Sequence, residues 1–171
     1  VEIKNTAFRD IRFTGDFVMN NLEVVNDFEF EQSIFDGIFE GIKIKNIGAN
    51  AFVYSIFSGS FNLPVCTYIS GYAFYYSNFS GSLSLPLCTY IGDSAFVESN
   101  FSGSLNLPAC TSVGYAAFNN SNFTQITIAA NCIFYLDSFG AHSQEFLDDY
   151  NANGQLGGTY VWDGSHWIYQ N

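Results

Sequence analysis

Four cysteines stand at Cys66, Cys88, Cys110 and Cys132, each 22 residues after the one before. Three of them sit in near-identical stretches, SGSFNLPVCTYI, SGSLSLPLCTYI and SGSLNLPACTSV. Cysteines in series can hold zinc, pair as disulfides or act as nucleophiles. A fixed interval makes them equivalent positions on stacked coils, and that geometry separates the options. Four sulfurs on one zinc must lie within about 4.6 Å of one another, since Zn–S is about 2.3 Å. Four stacked coils spread them over about 14 Å, so zinc is excluded. A disulfide between neighbours has an acceptable Cα separation of about 4.8 Å. Parallel Cβ vectors, however, hold the Cβ atoms at that same distance, above the usual ceiling of about 4.5 Å, so bridging is disfavoured. A reactive thiolate needs a cation or a helix N-terminus nearby, and no Lys or Arg occurs from residue 46 onward. The four are therefore expected as reduced, buried core residues, in the column that Leu22 and Ile44 fill in earlier units.

The same interval governs the rest of the chain. Ala-Phe recurs at Ala7-Phe8, Ala51-Phe52, Ala73-Phe74, Ala95-Phe96 and Ala117-Phe118, with Phe30 alone in the second unit. Further columns run Phe13, Phe35, Phe57, Phe79, Phe101, Phe123, then Gly15, Gly37, Gly59, Gly81, Gly103, and Ile3, Val25, Ile47, Ile69, Ile91, Val113. In SLSLP, Leu83 and Leu85 point one way and Ser82 and Ser84 the other, which is a strand, and Pro86 ends it. The apolar residues of the return path, CTYIGDSAF, are too widely spaced for a strand. Short units of this kind cannot bury their apolar faces alone and stack into a solenoid.

Composition narrows the function. The chain has 171 residues, 19% aromatic and only 12% charged, ample for one folded domain. A net charge of −11 repels phosphate backbones and anionic lipid, so no nucleic-acid partner is expected. No apolar run is long enough to span a bilayer, and no membrane insertion is expected. The opening VEIKNTAF lacks signal-peptide character and reads as the start of a mature or trimmed product.

The segments LSLPLCTYIGDSAF and LNLPACTSVGYAAF resemble the BspA-like leucine-rich repeats of bacterial surface proteins, found also in some parasitic protists. The resemblance is close over about residues 40–134. Residues 1–40 keep the Phe and aliphatic columns but lose the Leu-Pro step. The tail FLDDYNANGQLGGTYVWDGSHWIYQ is similar to a segment that closes such arrays. The resemblance implies a right-handed coil with one parallel sheet, an extracellular or cell-surface location, and binding or adhesion rather than catalysis.

Other motifs are weighed against structural roles. Asn78, Asn100 and Asn122 begin N-x-[ST] sequons at the same 22-residue step, which suits a stacked Asn column bonding neighbouring coils through its amides. Asp149-Tyr-Asn151-Ala-Asn153-Gly154 opens like a calcium loop, but Tyr160 stands where a bidentate Glu is needed. A helix N-capped by Ser143, running through Phe146, Leu147 and Tyr150 to an Asn-Gly stop, accounts for the same residues. Thr159–Trp162 and Ser165–Tyr169 flank Asp163-Gly164 as a hairpin with a two-residue loop, Tyr160 opposite Trp167. Its four aromatics, with Trp162 and Tyr169, share one face that caps the last coil or stacks on a sugar; the cap is favoured. The two histidines, His142 and His166, gather no catalytic set, and no cofactor is expected.

The expected architecture is a mainly β solenoid of about six to seven units over residues 1–134. A cap over 135–171 follows, with a helix near 143–152 and a hairpin near 158–170. The expected function is non-catalytic adhesion by a monomer, to a protein ligand or a glycan, or service as a spacer in a larger surface protein. The candidate binding face is Ser60, Asn62, Ser82, Ser84, Ser104 and Asn106. The candidate aromatic anchors, along the flanking turns, are Tyr54, Tyr68, Tyr75, Tyr76 and Tyr90.

Overall fold

The computed structural model describes residues 7–170; Ile3, the first member of the aliphatic column, lies outside the described residues. The chain winds into a parallel β-solenoid of about six turns, each close to 22 residues. Its axis is filled by aromatic stacks. Phe8, Phe30, Phe52, Phe74, Phe96 and Phe118 lie one above the next, with ring centroids 4.9–5.1 Å apart and planes within 7° of parallel. A second column, Phe13, Phe35, Phe57 and Phe79, stacks at 4.7–5.0 Å and meets the first edge-on. Offset stacks and edge-to-face contacts are the arrangements the ring quadrupole favours, which is why one residue type can recur at every turn.

The parallel strands expected on the Leu-Pro side form, but the solenoid has several parallel ladders where one sheet was expected. The longest ladder lies instead on the return path. It joins Val24–Val25, Asn46–Ile47, Tyr68–Ile69, Tyr90–Ile91, Ser112–Val113 and Ile133–Phe134, all parallel. A two-residue strand needs only one inward side chain, and Ile47, Ile69, Ile91 and Val113 supply it while the preceding residue faces out. Apolar spacing over a longer window cannot register so short an element.

The Leu-Pro side forms two ladders. Phe17–Val18, Phe39–Glu40 and Phe61–Asn62 pair in the first half, and Leu83–Ser84, Ser104–Leu107 and Gln125–Ile128 in the second. A third ladder, Arg12–Phe13, Ile34–Phe35 and Ile56–Phe57, continues past Ile56 only as a bridge to Asn78. Both interruptions fall where the repeat changes type. Ile34 and Ile56 give way to Asn78, Asn100 and Asn122, and Phe39 and Phe61 to Leu83, Leu105 and Ile126. Asparagine is disfavoured in strands, and Asn100 adopts a left-handed backbone with φ 55°. The gap holds a cleft of about 230 Å³ between Phe61 and Leu83, edged by Ser58, Ser60, Ser80 and Ser82.

The Gly column reflects close approach between coils. A Cβ on Gly59 would lie 2.3 Å from the Gly37 carbonyl oxygen. The last turn drops this residue, Thr124 running straight into Gln125, so Leu105 pairs with Ile126 and Val113 with Phe134 at 21 residues. Cys132 therefore stands one position later in its coil than Cys110. The expected fourth member of the cysteine column is out of register.

The end of the solenoid is covered. Gln125–Ile128 pairs antiparallel with Gly158–Trp162, which pairs with Trp167–Gln170. The helix Ser143–Ala152 buries Phe146 and Tyr150 beneath them. His142, not Ser143, is the N-cap residue, with φ 60° and no side-chain cap bond. Ser143 is buried, and its hydroxyl accepts the Phe139 N–H instead. The helix stops at Asn153-Gly154 as expected: Gly154 and Gln155 N–H donate to the Asn151 and Tyr150 carbonyls, satisfying its last acceptors. The hairpin register differs from expectation, with Trp162 opposite Trp167 and Tyr160 opposite Tyr169. Asp163 Oδ1 accepts the N–H groups of Ser165 and His166 and draws both into the loop, lengthening it beyond two residues.

Candidate binding surface

The corner of each unit contains two residues with left-handed backbone. One column is Gln32, Tyr54, Tyr76, Glu98 and Asn120, and the other Phe28, Asn50, Tyr72, Ser94 and Ala116, with φ between 50° and 67°. This conformation costs a residue with a Cβ on the order of 1 kcal/mol, least for Asn. The solenoid needs the corner but not any one side chain there. In the third and fourth units the chain places tyrosine at three of these positions, and Tyr54, Tyr72 and Tyr76 remain 51%, 47% and 47% exposed.

These rings gather around Tyr75. Tyr75 lies 4.6 Å from Tyr76, 5.4 Å from Tyr72 and 6.3 Å from Tyr54, and Tyr54 lies 5.5 Å from Tyr76. Desolvation, then the neighbouring phenols Tyr76, Tyr54 and Tyr72, push the Tyr75 hydroxyl above its ordinary pKa. Tyr68 and Tyr90 lie apart from it on strands rather than turns, which corrects their expected position. They stack at 4.8 Å and 9° across the return ladder. Tyr72 joins the cluster although it is not among the candidate anchors of the sequence. Its 22-residue step from Asn50 was the available signal, because Asn marks left-handed corners.

The serine and asparagine face is occupied by its own hydrogen bonds. Ser82 Oγ accepts the Ser104 N–H at 2.9 Å, Asn106 Nδ2 donates to Ser84 Oγ at 3.0 Å, and Asn62 Nδ2 donates to Glu40 at 3.1 Å. Ser60 and Asn62 sit on the first-half side of the ladder interruption, and the other four on the second. The six expected face residues thus do not form one uninterrupted surface.

All four cysteines are buried and free. Burial pushes the Cys66 thiol up to about 11 and Cys88 higher still. Cys66, Cys88 and Cys110 each donate to the carbonyl two residues on, at Tyr68, Tyr90 and Ser112. Cys132, displaced by the shortened turn, donates instead to the Ile133 carbonyl, and the interaction between its thiol and that of Cys110 lowers the Cys110 pKa and raises its own. Among the described residues no three Cys, His, Asp or Glu side chains gather as metal ligands. Asp149, the first residue of the calcium-like run, accepts the Trp167 N–H at 2.6 Å from its place on the helix.

The sequon asparagines do not form the expected amide ladder. Asn100 Nδ2 donates to the Glu98 carbonyl of its own coil, and all three side chains are exposed. The hairpin aromatics are engaged in the cap. Tyr160 and Trp167 are buried against Phe146, and Trp162 stacks on His142 at 4.0 Å.

The BspA type leucine rich repeat region, in six copies, matches residues 1–101 and 67–145. The chain belongs to the BspA-type leucine-rich repeat family. No curated protein and no solved structure matches it. BspA-type repeat proteins are generally associated with cell surfaces and adhesion, and leucine-rich-repeat solenoids are typically non-catalytic binding modules. No helix among the described residues is long and apolar enough to cross a membrane. This BspA-type array carries its tyrosine cluster on the third and fourth corners.

Proposed function

We propose that the chain is a non-catalytic adhesion module acting outside the cell, which recognises a protein of a host or neighbouring cell through its tyrosine-bearing corner. One observation carries the reading. Tyr54, Tyr72 and Tyr76 occupy backbone that disfavours them, about half exposed, where neither core nor turn calls for an aromatic. Tyrosine contributes large contact area at low entropic cost and is enriched among binding hot spots.

A carbohydrate ligand is the second reading, supported by the Tyr68–Tyr90 stack, in which Tyr68 is exposed and Tyr90 half-buried and which offers an aromatic surface to a sugar ring. The hairpin tryptophans no longer support it, because the cap uses them. Binding of the chain to an extracellular-matrix protein panel and to a glycan array, with and without Tyr54→Asn/Tyr76→Asn, separates the two. Protein binding that the double substitution abolishes supports adhesion to protein. Glycan binding alone moves the function to carbohydrate, and silence in both assays makes the chain a spacer.

A further inference from the structure

The charge distribution suggests what kind of protein surface fits the corner. All Lys and Arg residues lie in the first 45 positions. The described ones are already engaged there: Arg9 with Glu31 at 3.5 Å, Arg12 with Asp36 at 2.8 Å, Lys45 with Glu23 at 2.9 Å, and Lys43 on Asn21. Residues 46–92 carry no Asp, Glu, Lys or Arg. The tyrosine cluster belongs to that uncharged stretch, and the next charges along the chain are Asp93 and Glu98.

Both acidic residues lie on the coil that follows the cluster. Tyr72 N–H donates to the Asp93 carbonyl at 3.0 Å, so Asp93 sits directly across the coil step from Tyr72. Glu98 follows Tyr54 and Tyr76 in the same left-handed column, and Tyr76 N–H donates to the neighbouring Val97 carbonyl at 2.9 Å. Asp93 accepts the Tyr115 N–H and Glu98 the Asn120 amide, neutral donors that leave each negative charge uncompensated. Electron-rich ring faces followed by two carboxylates, on coils that carry no Lys or Arg of their own, attract positive charge twice, through the ring quadrupole and through Coulomb attraction.

We propose that the Tyr54–Tyr72–Tyr75–Tyr76 cluster, with Asp93 and Glu98 on the next coil, receives a cationic segment of a protein partner. Its arginine or lysine side chains rest on the ring faces, with their charge turned to the two carboxylates. The proposal rests on the adhesion reading and specifies its partner chemistry. Arginine suits the site better than lysine, because a planar guanidinium stacks on a phenol while donating sideways to a carboxylate.

The test is a calorimetric titration of the chain with an arginine-rich octapeptide and with its citrulline counterpart, which keeps the shape but replaces the charged guanidinium with a neutral urea. Citrulline should bind at least about tenfold more weakly, and Tyr54→Asn/Tyr76→Asn should weaken the arginine peptide about tenfold. Glu98→Gln, isosteric and at a half-buried position, should cost about threefold and reduce the salt dependence. Glu145→Gln/Asp148→Asn, on the capping helix, controls for general attraction to an acidic protein and should change nothing. Circular dichroism and urea unfolding establish that each variant is folded. Equal binding of both peptides, or an equal loss in the helix control, overturns the cationic partner. If the matrix-protein panel still shows tyrosine-dependent binding, only this proposal falls; if the tyrosines matter in neither assay, the adhesion reading falls with it.

Discussion

Val113 pairs with Phe134 across 21 residues, whereas Ile91 pairs with Val113 across 22. The lost residue is the glycine of the turn between Thr124 and Gln125, and the slip takes Cys132 out of its column. There its N–H donates to Tyr150 Oη at 3.0 Å, and Tyr150 donates on to the Ala129 carbonyl at 2.9 Å, tying the capping helix to the last coil. Glycine inserted between Thr124 and Gln125 restores the turn length of the other units and should leave stability within about 0.5 kcal/mol. Glycine inserted between Ala129 and Ala130 shifts Cys132 away from Tyr150 and should cost about 1–3 kcal/mol in urea unfolding.

Phe74 is fully buried, with Phe52 and Phe96 both 4.9 Å away. Phe74→Ala removes one ring from the middle of the axial stack and should cost about 3–5 kcal/mol, since neighbours held by their own coils cannot close the cavity. The loss should appear as a lower urea midpoint and a lower Tm. Phe74→Leu, which refills most of the volume, should cost distinctly less.

The cysteine column makes stability depend on alkaline pH. Burial raises the Cys66 thiol from 9.0 to about 11, so the unfolded chain gives up this proton more readily than the folded one. The contribution is full below about pH 9 and is lost as pH rises towards about 11. Cys88 and Cys132 are pushed the same way and Cys110 the opposite way. Under reducing conditions the urea midpoint should fall from about pH 9 upward, and Cys66→Val should fall less steeply.

The repeat length, the Phe columns and the alternating Leu strands were legible because each recurs in register and noise does not. The helix stop was legible because Asn153-Gly154 is a local signal. What escaped the sequence depends on contacts the period does not encode. The return strands are two residues long and leave no alternation to detect. Asp163 side-chain hydrogen bonds, not the Asp-Gly dipeptide, set the hairpin loop. Cys132 kept its count from Cys110 while the coil beneath it lost a residue, so equal spacing concealed unequal position. The ladder interruption was within reach, in Ile56 giving way to Asn78 and Phe61 to Leu83. For the anchors, the exposed tyrosines were identifiable, but their convergence on Tyr75 depended on the corner geometry that also places Tyr72.

The central claim is that the corner tyrosines serve recognition rather than folding, and equilibrium unfolding of Tyr54→Asn/Tyr76→Asn tests it most directly. Asparagine suits left-handed backbone, which offsets the exposed ring contacts that are lost. The variant should unfold within about 0.5 kcal/mol of the parent chain, with the same dependence on urea. A loss of about 2 kcal/mol or more would show the cluster to be a structural element of the solenoid and contradict the account.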